Sequence, residues 1–147
     1  MDTRLIAFLT SDGANGSGRR FADVIAFDDD ALERHHDFIQ WLFPLDEPSR
    51  AVPGSPVLDA QTIATLRGSP VAQERLAQAS QRMLTFYRDT TAWRGPFDHN
   101  HLRITRIIKS LRLLSGDETA DAFRRDIKAL AAGAPIDASA RAFWDRA

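Results

Sequence analysis

The sequence predicts an all-α fold: one compact multi-helix domain over residues 1–147, five to six helices in all, with an ordered proline-rich connection. Three observations carry this reading. Apolar residues recur every three to four positions in several long segments, as they do on the buried face of a helix. Those segments are bounded by capping side chains, prolines and glycines. No two alternating runs are joined by a hairpin turn, so no strand pair is expected. A hydrophobic content of 44% with 27% charged residues is the balance of a chain that buries one core.

Along the chain, LIAFL at Leu5–Leu9 precedes GANGSGRR, Gly13 to Arg20, where Gly13 and Gly18 have the spacing of a phosphate-binding loop. Arg19 and Arg20 stand where such a loop needs lysine and a hydroxyl residue, and VIAFD follows too soon for a parallel crossover, so a flexible loop is expected. A helix from about Asp30 to Phe43 is then predicted, with Asp30 and Glu33 at capping-box spacing and Leu32, His36, Ile39 and Phe43 on one face. Pro44 stops it, because proline lacks the amide donor and disfavours helical geometry at the residue before it. Pro44, Pro48, Pro53 and Pro56 make an extended connection, anchored by Leu45, Val52, Val57 and Leu58.

Asp59 is read as the cap of a short helix ending near Gly68. Ser69 and Pro70 open a longer one to about Asp89, with Leu76, Ala79, Met83, Phe86 and Tyr87 as its stripe. After the break WRGPFDHNH, a helix from about Asn100 carries Ile104, Ile107, Ile108, Leu111 and Leu114 and stops at Gly116. Ser115 and Glu118 suggest a capping box for the next helix, whose stripe is Phe123, Ile127 and Leu130. PIDASARAFWDRA closes the chain as a short helix that docks Phe143 and Trp144.

Composition excludes several classes of function. A formal net charge of -1 gives no overall field for nucleic acid or anionic membrane. With no cysteine there is no disulfide, no thiolate nucleophile and no sulfur-ligated metal. LIAFL is short for a signal-peptide core and no run reaches the roughly 18 apolar residues of a membrane span, so a cytoplasmic location is expected. No serine stands recognisably beside a histidine and a carboxylate.

The polar anomalies are few. All four histidines fall in two pairs, His35 and His36 before Asp37, and His99 and His101 after Asp98. Around a metal or phosphate, His36, His99 and either aspartate would make an enzyme site, but neither pair has the i, i+4 spacing of a helical metal pair. The plainer expectation is that His36 and His99 bond backbone groups at helix ends, with no cofactor and no catalytic role. Gln40 sits inside FIQWLF, four residues after His36, either facing out or paired in the interior. Arg103, Arg106, Lys109 and Arg112 lie around the non-core side of helix 101–114; such a face can bind nucleic acid, but the charge elsewhere argues for a solvated surface.

Two blocks, HDFIQWLFPL (His36 to Leu45) and HNHLRITRIIKSLRLL (His99 to Leu114), in that order and after the acidic DDDALE, resemble the signatures of the opioid growth factor receptor conserved domain. The resemblance implies a helical domain and, in animals, receptor-type activity toward the pentapeptide Met-enkephalin, nuclear association and restraint of proliferation. No basic nuclear-import cluster or C-terminal repeat array is present here, and the arginine-rich chain is similar to stand-alone bacterial members. The matching positions imply a polar seam of His36, Gln40, His99, Asn100 and Arg103 beside Trp41, with Arg103 or Arg106 as anion partner. The expectation is thus a soluble binding module for a small anionic or peptide ligand or a protein partner.

Overall fold

The computed structural model describes all 147 residues and is all-α. Nine α-helices are present: α1 Thr3–Thr10, α2 Phe21–Ile25, α3 Asp29–Arg34, α4 Ile39–Leu42, α5 Ala60–Arg67, α6 Pro70–Asp89, α7 Asn100–Leu114, α8 Asp117–Leu130 and α9 Ala138–Arg146. A 3-10 turn occupies Ala92–Arg94, and the only β pairing is two isolated bridges. No helix is long and apolar enough to cross a membrane. The helices fall into two compact units, Met1–Ala79 and Ser80–Ala147, with the division inside α6.

In the first unit, Leu5, Phe8 and Leu9 of α1 recur at helical spacing and are fully buried, so LIAFL is a helix. Asp2 caps it, its side chain accepting from the Leu5 amide. Asp59 caps α5 in the same way, and its carboxylate also holds the Met1 ammonium at 2.8 Å. The Arg75 guanidinium, from the first half of α6, donates to the Phe8 and Ser11 carbonyls at 2.8 Å. It thereby satisfies orphan acceptors at the C-terminus of α1, where a cation also suits the helix dipole. The proline-rich connection is ordered by the Leu45–Val57 bridge. Leu45 and Leu58 are buried as expected, but Val57 is 40% exposed, because it lies on the outer side of that bridge.

The predicted helix from Asp30 to Phe43 is two helices. Asp28, not Asp30, is the cap of α3, and the chain turns extended at His35, φ -83° and ψ 137°. The reason lies in the burial pattern: Phe38, Ile39, Gln40, Trp41, Leu42 and Phe43 are all interior. One continuous helix buries a stripe, not every direction, so the chain breaks and spends a single turn in the core. Pro44 ends α4 as the sequence requires.

In the second unit, α7 packs against α8 and α9, burying Ile104, Ile107, Ile108, Leu111 and Leu114 with Phe123, Ile127 and Trp144. The N-cap of α8 is Gly116, at φ 106°, one residue after the Ser115 that the sequence offered as its cap. Arg112 ties the helices by bonding Asp117, Asp121 and the Ala147 carbonyl oxygen. Trp144 docks as expected, whereas Phe143 is 49% exposed, one residue around α9 from the buried face.

Hydrogen bonds hold several carboxylates below the usual range: Asp59 through the Met1 ammonium, Asp121 through Arg112, and Asp145 through Lys128. A depressed folded-state pKa stabilises the fold above the unfolded value and is lost as pH falls through the folded one. Thermal denaturation should therefore show this contribution intact at neutral pH and falling below about pH 4. A midpoint that rises on acidification through that window contradicts it.

Candidate functional site

Of the residues singled out from the sequence, His36, Gln40 and Trp41 lie in the first unit, and His99, Asn100, Arg103 and Arg106 in the second.

Around Trp41, the first unit assembles polar surroundings from an unexpected source. GANGSGRR is a closed turn, not a flexible loop: the Asn15 side-chain oxygen accepts from the Ser17 and Arg19 amides, and the Asn15 amide donates to the Arg19 carbonyl. An Asn-Gly-Ser-Gly run is the sequence signal for such an Asx turn. Gly13 lets the turn start against α1, since a β-carbon there would stand 2.5 Å from that of Ala7. At Gly16 the turn lies against the Trp41 indole, with a β-carbon position 3.7 Å from the ring. The Phe8 ring meets the indole edge-on, 5.7 Å between centroids, and the Arg4 guanidinium lies 5.6 Å from the ring centre.

Asp37 fastens the turn to the start of α4. It accepts from the Ser17 hydroxyl and lies 3.5 Å from Arg19 Nη1. The Ser17 bond is the main cause of its lowered pKa; partial burial opposes it, and Arg19 adds a favourable charge. Arg19 and His35 both lie against the Phe27 ring, at 5.2 and 5.1 Å.

Gln40 is buried, not facing out. Its Nε2 donates to the His36 carbonyl oxygen at 3.1 Å, while His36 itself is exposed. That bond fixes the amide orientation, and it leaves Gln40 Oε1 buried with no hydrogen-bond partner. Asn15 Nδ2 is in the same condition, its orientation fixed by the two amides on its oxygen. One spare acceptor and one spare donor are thus held in the interior of the first unit, where each costs about 1–3 kcal/mol until something bonds it.

In the second unit Asn100, 1% exposed, is the centre of a satisfied network. Its Oδ1 accepts from the Tyr87 hydroxyl at 3.2 Å and Arg103 Nη1 at 3.5 Å. Its Nδ2 donates to Asp98 at 2.9 Å and stands 3.4 Å from His99 Nε2. The structure therefore brings His99, Asn100 and Arg103 together; Arg106, one turn along α7, is half-buried. The cations of α7 do not form one solvent-facing stripe, because Arg103 is 5% exposed and Arg112 is held by Asp117 and Asp121.

His101 bonds a backbone group. Its Nε2 lies 2.7 Å from the Trp93 carbonyl oxygen, which only accepts, so the proton sits on Nε2. The ring stands edge-on to Trp144, whose Nε1 donates to the His101 carbonyl. Beside His101 opens a cavity of about 200 Å³ lined by Phe97, Asp98, Leu102, Asp137 and Phe143, among others. The sequence signal for it was Leu102, an apolar residue off the α7 stripe.

Residues 19–91 match the family described as the opioid growth factor receptor (OGFr) conserved region. The chain is similar to the opioid growth factor receptor of Homo sapiens, 39% identical over 103 residues, covering 56% of this chain and 15% of that protein. The Rattus norvegicus protein of the same name is 37% identical over 100 residues, 56% of this chain and 17% of its own. The Mus musculus one is 39% identical over 100 residues, 56% and 16%. The chain thus spans about a sixth of the length of these relatives. No solved structure matches it.

Proposed function

As the chain belongs over residues 19–91 to the opioid growth factor receptor conserved-region family, we propose that it is a non-catalytic peptide-binding module with receptor-type activity. In this reading Trp41 is the apolar wall, and Gln40 is the group that orients the ligand, with His36 at the exposed edge. The relatives are named receptors, which supports a binding rather than a catalytic role.

The observation that carries it is the unpaired Gln40 Oε1 in the interior beside Trp41, within the signature block itself. A peptide amide offers the donor it lacks, and the spare Asn15 donor suits a peptide carbonyl. In the second unit, Asn100 holds Arg103 at 3.5 Å, and His99, Asn100, Arg103 and Arg106 form a separate candidate set for an anionic group. Each set is testable by itself.

Titration with Met-enkephalin, followed by calorimetry, tests the reading. The wild-type chain should bind saturably, and Gln40→Leu should bind at least about tenfold more weakly, the value of one lost hydrogen bond to a buried group. The same variant should be as stable as wild type or about 1 kcal/mol more stable, because an unsatisfied acceptor has been removed. A Gln40→Leu protein that is clearly destabilised and binds unchanged would mean that Gln40 is scaffolding.

A further inference from the structure

The cavity beside His101 lies outside residues 19–91 and plays no part in the reading above. Its rim carries three large apolar side chains in contact with water: Phe97 at 80% exposure, Leu102 at 73% and Phe143 at 49%. Singly exposed apolar residues need no explanation, but three around one cavity form a patch of the kind that marks an interaction surface. At about 200 Å³ the cavity is smaller than the sites that enclose drug-sized ligands and has the size of one bulky side chain.

Charge narrows the occupant further. No lysine or arginine lines the cavity, whereas Asp98 and Asp137 both do. Each sits at a helix start: Asp98 accepts from the Asn100 amide at 2.9 Å, and Asp137 accepts from the Ser139 amide at 3.1 Å. A helix N-terminus carries roughly half a positive charge, so a full carboxylate at each leaves the rim net negative. The Ser139 side chain, donating to Asp137, holds its carboxyl below the usual carboxylate range. Arg146 lies 5.0 Å from the Phe143 centroid but does not line the cavity.

We propose that this cavity is a docking site for a partner protein's segment in which a bulky apolar residue stands beside an arginine or lysine. The apolar side chain fills the space between Phe97, Leu102 and Phe143, and the neighbouring cation meets Asp98 and Asp137. Charge complementarity selects such a segment over an acidic one, and the size of the cavity selects a single anchor.

Amide NMR shifts of the full chain, titrated with blocked synthetic hexapeptides, test this. The probes are Gly-Ser-Phe-Arg-Ser-Gly, its Phe-Glu counterpart and its Ala-Arg counterpart. The Phe-Arg probe should shift residues 97–105 and 137–143 saturably at millimolar concentration, with the other two about tenfold weaker or more. Leu102→Glu, at an exposed position, should abolish the shifts. The double variant Asp98→Asn with Asp137→Asn should keep the fold, since asparagine also caps helices, yet lose the preference for Phe-Arg over Phe-Glu. Equal binding of those two probes to the wild-type chain, or no shift with the Phe-Arg probe, overturns the proposal. So does sedimentation showing a dimer that Leu102→Glu dissociates, because the patch would then be covered by a second copy.

Discussion

Trp144→Ala should destabilise the chain by about 3–5 kcal/mol, the range for removing a fully buried large aromatic side chain. Trp144 is 0% exposed and makes two attachments at once. Its ring packs edge-on to His101, 5.8 Å between centroids, and its Nε1 donates to the His101 carbonyl oxygen at 3.1 Å. Without it α9 loses its main anchor on α7, and Asp137 and Phe143 leave the cavity wall they supply. Trp144→Phe separates the contributions: most of the packing stays while the N–H is lost, for about 1 kcal/mol beyond the change in ring size. Urea unfolding of the two variants gives both numbers. An alanine variant within about 1 kcal/mol of wild type would contradict the docking of α9 on α7.

The second large effect is expected at Gly13, a position with no chemistry of its own. A β-carbon there would lie 2.5 Å from the β-carbon of Ala7, 2.7 Å from its carbonyl carbon and 2.9 Å from the Phe8 nitrogen. Two of those neighbours are backbone of α1, which cannot step aside as a side-chain end can. The Gly13 amide also donates to the Ala7 carbonyl at 3.1 Å, so moving the turn away breaks a bond. Gly13→Ala should therefore cost about 1–3 kcal/mol, the usual range for overpacking. Displacing the Asn15 turn should also change the environment of Trp41, read as a shift in its fluorescence. Gly16→Ala is the control: its β-carbon meets nothing nearer than 3.7 Å and should change stability little. Equal effects of the two substitutions would mean that the approach to Ala7 does not hold the turn.

These two positions differ in how far the sequence revealed them. Trp144 stands in a terminal helix that the sequence expects to dock, although the same reading docks Phe143 beside it. Gly13 was read within a loop, because what it must avoid, Ala7, is a tertiary neighbour on another element. The same contrast runs through the candidate sites. The Ser69–Pro70 start and the Asp89 end of α6 were legible, as was the start of α7 at Asn100, because each is set by capping or breaking residues within a few positions. The break between α3 and α4 was not legible. His35 through Phe38 have no proline or glycine, and the chain turns there because six consecutive residues find interior partners.

What the amino-acid sequence determined by itself is the helical class, several caps and stops of the longer helices, and the block His36 to Leu45 that lies inside the family match. Those are local properties, set by spacing, side-chain type and the backbone limits of proline. What only the tertiary structure decided is which polar atoms are left over. Gln40 and Asn100 are both buried amides, yet Asn100 is bonded through Tyr87, Asp98 and Arg103, while Gln40 keeps an unpaired oxygen. Likewise Phe143 and Trp144 are adjacent aromatics, one half in water and one fully enclosed. Hydrogen-bond satisfaction and burial are set by what folding brings alongside a residue, and no local pattern carries that information.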